Sequence, residues 1–157
     1  MANNTDLIKW DARLLLGIPL VDKQHERLVQ LTNDLHAAFL ESKETATTRF
    51  IEAAREAVKY VGYHFTTEEK MMVLLEYPDY PAHKKEHELF TKEVLLQTQK
   101  FAEQKNLAAN RFVRFLTDWI LSHVAVCDKA MVDYMLSLKD TSKLQQLFPS
   151  KDAPDGL

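Results

Sequence analysis

Six polar side chains interrupt the apolar stripes of this sequence. His25, His64, Glu68, His83, His87 and His123 each stand where helical periodicity calls for leucine or valine. One histidine on an apolar face is ordinarily a satisfied core residue. Five with an inward glutamate are different, because burying a polar group without a partner costs roughly 2–7 kcal/mol. A shared metal centre is the simplest compensation. His64 and Glu68 are spaced i,i+4, one turn apart on one helix face, and His83 and His87 repeat the spacing. Asp128 is the awkward candidate. Five residues after His123, it lies about 140° around an ideal helix, so both reach one centre only from opposite flanks or where the helix is bulged.

Two further patterns need weighing. His36 lies nearly on the face of His25 but about 16 Å further along the axis, so it reads as a core or surface histidine outside the centre. The segment His83-Lys-Lys-Glu86-His87 also matches the inverted zinc-hydrolase signature, with Glu86 as general base. That alternative leaves His25, His64 and His123 unexplained, and a tight bundle offers a peptide no cleft.

Positioning these groups falls to helices. The chain has 3 glycines and 5 prolines, and 20–77 and 82–148 are free of proline. So few breakers leave little material for hairpins, and the class is all-α. Periodicity predicts four helices, at about 19–41, from after the polar segment 41–45 to about 76, at about 82–104, and on to about 138 with Asn106 as a cap. On the last, Phe112, Leu116, Trp119, His123, Val126, Ala130 and Tyr134 are expected inward; on the third, Phe101 is among the inward residues. Pro81 suits a first helical position after the turn signal Tyr77-Pro-Asp-Tyr-Pro81. Short connections make sequential helices antiparallel neighbours, giving an up-down-up-down four-helix bundle over 19–138. Residues 1–18 form an extended N-terminal arm docking through Trp10, and 139–157 a short, polar, partly disordered C-terminal tail. In this topology His64, late in its helix, comes level with His83, early in the next, and His25 and His123 reach the same end.

The 157 residues suit one domain that buries about two-thirds of its unfolded surface, so no disulfide or metal is needed merely to fold. A net charge of −3 with interleaved signs offers no basic stripe, which argues against nucleic-acid binding. No apolar run approaches the ~20 residues of a membrane span, and no secretory signal is visible in MANNTDLIKW. The single cysteine, Cys127, reads as a small buried residue and suits a reducing compartment, so the expectation is a soluble, cytoplasmic protein.

Taken in order, Trp10, Gly17-Ile-Pro-Leu-Val-Asp-Lys-Gln-His25, His64-Phe-Thr-Thr-Glu68-Glu-Lys-Met, His83-Lys-Lys-Glu-His87 and Trp119-Ile-Leu-Ser-His123 with Asp128 resemble the hemerythrin family, its bacterial type in particular. The resemblance runs from Trp10 to about Tyr134. It implies two non-haem iron ions with a bridging oxo or hydroxo group. His83, His87 and His123 would bind one iron, His25 and His64 the other, with Glu68 and Asp128 bridging. It also implies reversible dioxygen binding at the second iron, in a pocket of Leu28, Phe65, Trp119, Ile120 and Val124, rather than an enzyme. Ile120 departs from the leucine of invertebrate carriers. Five neutral imidazoles with two carboxylates are a less anionic set than Glu-rich di-iron sites, which favours ferrous iron and an intact O–O bond. A di-iron oxidase or peroxide-consuming enzyme is the alternative, and any partner protein for oxygen delivery is not named by the sequence.

Overall fold

Where the chain turns is decided by a handful of local devices, and between them the apolar stripes run as long helices. The structure, a computed structural model, describes residues 6–41, 45–103, 105–140 and 142–143. Helix α1 spans Pro19–Leu40, α2 Thr45–Leu74, α3 Tyr80–Glu103 and α4 Lys105–His123. A five-residue π-helical turn, Val124–Asp128, carries α4 into α5, Lys129–Ser137. No strand occurs among the described residues. Helix α1 packs on α2 and α4, and α3 packs on the same two, so the four long helices form the up-down-up-down ring.

Pro19 opens α1 at a position where its missing N–H costs nothing. Just before it the Asp22 carboxylate accepts the N–H groups of Leu16 and Gly17 at 2.7 and 3.0 Å, folding the chain back on the helix start. Gly17 has φ +112°, a conformation that strains any residue with a side chain, and a Cβ there would also press on Leu136 Cδ1 at 3.2 Å.

Helix α2 ends in a Schellman turn: Tyr77 N–H bonds Met72 C=O at 2.9 Å, and Glu76 N–H bonds Val73 C=O at 3.3 Å. The left-handed residue in it is Glu76, at φ 55°, where glycine is usual. The hydroxyl of Tyr134 donates to the carbonyls of Leu75 and Glu76, tying this end to α5. Because an L side chain at left-handed φ costs roughly 1–2 kcal/mol, Glu76→Gly is expected to stabilise the protein by about 1 kcal/mol. A higher urea midpoint at unchanged slope is the readout.

Some expectations shift. The arm docks through Ile8, which is buried, while Trp10 is half-buried. The reason is Asn33, whose amide takes both backbone groups of Ile8, at 2.9 and 2.8 Å. Helix α4 starts at Lys105, so Asn106 stands inside it rather than capping it; neither residue forces a break. The side chain of Phe101, the segment 42–44 and most of the tail, 144–157, lie outside the described residues.

The π turn produces the largest difference. Val126 is 67% exposed and Ala130 is exposed, whereas Asp128, Met131, Val132 and Met135 are buried. One extra residue in the turn moves the inward positions one place along the chain.

Two apolar cores result. The larger contains Leu28, Leu35, Phe65, Phe90, Leu116 and Ile120; the smaller contains Val21, Met71, Met72, Met131, Val132 and Met135. A polar layer separates them in chain order on three elements: His25 stands between Val21 and Leu28, Glu68 between Phe65 and Met71, and Asp128 between Val124 and Met131.

Candidate metal centre

Every one of the seven polar residues singled out by type and spacing enters that layer. His25, His64, Glu68, His83, His87, His123 and Asp128 are all buried. Their ligand atoms fall into two groups, each within 4.8 Å: Glu68, His83, His87 and His123 in one, and His25, His64, Glu68 and Asp128 in the other. Glu68 belongs to both.

The carboxylates divide their oxygens between the two groups. Glu68 Oε1 lies 3.5 Å from His64 Nε2 and 4.0 Å from His25 Nε2, while Oε2 lies 3.6 Å from His83 Nε2 and 3.3 Å from His87 Nε2. Asp128 Oδ2 faces His25 and His64 at 3.0 and 3.8 Å, and Oδ1 faces His123 and His83 at 3.0 and 3.2 Å. The π turn is what brings Asp128 here. Five residues of a wide turn complete about one revolution, so His123 and Asp128 share a face that an ideal helix would deny them.

Left as they stand, these groups are unsatisfied. None of the four carboxylate oxygens accepts a well-directed hydrogen bond, and Nε2 of His25 also lacks a partner. The Nε2 atom of His123 lies 3.1 Å from that of His83 and 3.2 Å from that of His87, a crowd of nitrogens facing one another. Orphaned buried polar atoms cost ~1–3 kcal/mol each, more when charged. Cations at the two foci would satisfy all of them, so the residues fit a metal centre.

Outer contacts leave the nitrogens facing inward free to bind. His64 Nδ1 lies 2.9 Å from Gln24 Oε1, an acceptor, so in the neutral ring Nδ1 carries the proton and Nε2 is the one left to bind. The amide of Gln24 is oriented by Thr67, which accepts its N–H at 3.1 Å and donates to Tyr63 C=O at 3.1 Å. His87 Nδ1 lies 3.1 Å from Glu69 Oε1. Neither Gln24, Thr67 nor Glu69 was singled out from sequence. Gln24 and Glu69 each adjoin a candidate ligand, but polar residues flanking an apolar stripe ordinarily face solvent.

Apolar cover comes from the larger core, which includes Leu28, Phe65, Ile120 and Val124 with Trp119 packed against them. The Phe65 ring stacks on His87 with centroids 3.7 Å apart, and Trp119 stacks on His123 at 4.2 Å. His36 is half-buried and in neither group. Glu86 is exposed and also in neither, so the hydrolase alternative has no base at the centre. Cys127 is half-buried, and burial followed by the carboxylates of Asp128, Glu86 and Glu68 pushes its thiol up, away from the reactive thiolate.

Charge at the metal-free centre is tightly balanced. Burial opposes ionisation of His83, yet Asp128 and Glu68 outweigh it and raise its pKa to about 9; His64 is raised by the same carboxylates against its own burial. Burial and Asp128 oppose ionisation of Glu68, but the facing histidines hold it at about 2, and Asp128 is likewise held well below the usual carboxylate range. The raised histidines stabilise the fold fully below about pH 6.5 and lose that contribution as pH rises toward 9. The depressed carboxylates contribute above about pH 4.5 and lose it as pH falls toward 2. Metal-free protein is therefore expected to melt highest between those limits and lower on both sides. Metal uptake at neutral pH is expected to release protons, measurable in a weakly buffered titration.

A four-helix bundle with two buried clusters of imidazole and carboxylate ligands, sharing one glutamate, defines the class of bundle proteins that hold metal between their helices. Residues 16–134 match the Hemerythrin HHE cation binding domain. The chain is 32% identical over 127 residues to the bacteriohemerythrin of Stenotrophomonas maltophilia, covering 81% of this chain and 80% of that one. It is 31% identical over 117 residues to the bacteriohemerythrin of Aquifex aeolicus, covering 72% and 86%. This chain belongs to the hemerythrin family. A crystal structure of a leucine-to-phenylalanine mutant superimposes with a TM-score of 0.70 at 24% identity, over 82% of this chain and 96% of that one, a likeness of fold. Among the described residues no helix is long and apolar enough to cross a membrane.

Proposed function

We propose that this chain holds two iron ions and binds dioxygen reversibly, as a carrier, store or sensor rather than as an enzyme. The observation that carries the reading is the division of Glu68 and Asp128 between two imidazole groups, one of three and one of two. His83, His87 and His123 would hold one ion and His25 and His64 the other, with both carboxylates spanning the pair, beside a bridging oxo or hydroxo group. When bound, ferrous iron supplies the electrons that let dioxygen be taken up and given back.

The protein's part is to leave room, keep the centre dry and limit its charge. The two-imidazole position has one protein donor fewer than the other, which leaves a place for an outside ligand. Leu28, Phe65, Trp119, Ile120 and Val124 would supply the apolar wall that keeps water off the centre. Gln24 and Glu69 hold His64 and His87 in the tautomer whose Nε2 faces the metal. Five neutral imidazoles against two carboxylates keep the donor set weakly anionic, which suits ferrous iron over higher oxidation states.

The test is the visible spectrum of anaerobically reduced, iron-loaded protein as dioxygen is added and then removed. A charge-transfer band that rises with the gas and disappears on its removal is expected. Irreversible passage to a ferric spectrum overturns the reading in favour of an oxidase, and absence of bound iron overturns the di-iron assignment itself.

A further inference from the structure

The two imidazole groups differ in what stands behind them. His64 is backed by the neutral amide of Gln24, itself 2% exposed and oriented by the Thr67 hydroxyl. His87 is backed by the carboxylate of Glu69, whose other oxygen faces the Lys84 ammonium at 3.9 Å. Both partners fix the same tautomer, so geometry does not distinguish them. Charge does. A carboxylate accepting the Nδ1 proton pulls it away from the ring and makes Nε2 a stronger donor, whereas an amide oxygen does so far less.

We propose that Glu69 is a positioning residue that acts through His87 to make the three-imidazole position the tighter of the two, so that the centre fills in a set order. The inference rests on the two-ion reading above. Glu69 touches neither carboxylate bridge nor any metal position; its whole influence passes through one ring. Oε1 is the Glu69 oxygen that reaches His87, while Oε2 points toward Lys84. Behind His64, the Gln24 amide donates to Thr67, which in turn donates to Tyr63 C=O, so the relay on that side is made of neutral groups.

The test uses the full metal-free chain titrated with cobalt(II) without oxygen, following the visible d–d bands. Two binding steps are expected. Glu69→Gln keeps the acceptor and removes the charge, and should weaken the first step ten- to a hundredfold while leaving the second within about threefold. Gln24→Glu places a carboxylate behind His64 and should tighten the second step, narrowing the gap. Circular dichroism of each metal-free variant checks that the bundle is intact. Equal weakening of both steps by Glu69→Gln, or no change in either, overturns the proposal while two-ion binding stands. Failure of the unaltered chain to bind two cobalt ions overturns the underlying reading instead.

Discussion

Glu68→Ala is expected to strip metal from both positions, leaving the purified variant with less than about half the metal of the parent after dialysis. The side chain is fully buried and belongs to both ligand groups, one oxygen toward each. Loss of an outer partner of a metal ligand typically costs ten- to a hundredfold in affinity, so loss of a shared ligand should cost at least about a hundredfold, or about 2.8 kcal/mol. A hydrophobic truncation also leaves the Nε2 atoms of His64 and His87 without the Glu68 oxygens that face them at 3.5 and 3.3 Å. Metal analysis per chain, with circular dichroism to verify folding, reads the result. Retention of two ions by a folded Glu68→Ala variant would contradict the shared-bridge assignment.

The second large effect concerns the phase of the last helix. Inserting one alanine between Ala125 and Val126 is expected to turn Asp128, Met131, Val132 and Met135 by about 100°. That takes a carboxylate out of the centre and three fully buried apolar side chains out of the smaller core. At about 1.5–3 kcal/mol for each apolar side chain, the loss is roughly 5 kcal/mol or more, a large part of an ordinary domain's stability. Deleting Ala125 should do the reverse of harm. His123 and Asp128 would then be spaced i,i+4, an ordinary α-helical turn that puts both on one face, and the phase of α5 would be kept. The deletion is expected to melt within a few degrees of the parent and the insertion ten degrees or more below it, read by thermal denaturation of metal-free protein. Equal tolerance of the two changes would show that helical phase is not what seats Asp128.

That turn also marks where sequence reading ran short. Six of the seven polar residues stood out because each breaks an apolar stripe, and a buried polar group needs a reason; Asp128 joined them through the family resemblance. His36 was set aside on helical rise alone, and it lies outside both groups. Beyond His123 a uniform 100° per residue fails, so Val126, Ala130 and Tyr134 were read as inward when Met131 and Met135 are. The five-residue interval to Asp128 carried the clue to the wide turn. Glu76 in a left-handed conformation and the partners Gln24, Thr67 and Glu69 were not legible, because each depends on what a distant element brings beside it. Arm docking through Ile8 was missed for the same reason, since Asn33 is 25 residues away.

The polar stratum across the bundle bears on how the protein comes apart. Each apolar core is made of its own ends of the helices, and the layer between them joins them by polar contacts rather than by apolar packing. Such a seam weakens cooperativity: the smaller core, with Met71 to Tyr77 and α5, can open while the larger stays closed. In metal-free protein the amides of 71–77 and 129–137 are expected to exchange hydrogen as a group, ahead of those around Leu35, Phe90 and Leu116. Metal across the seam joins both cores into one folding unit, and a single melting transition with uniform protection is expected to replace two.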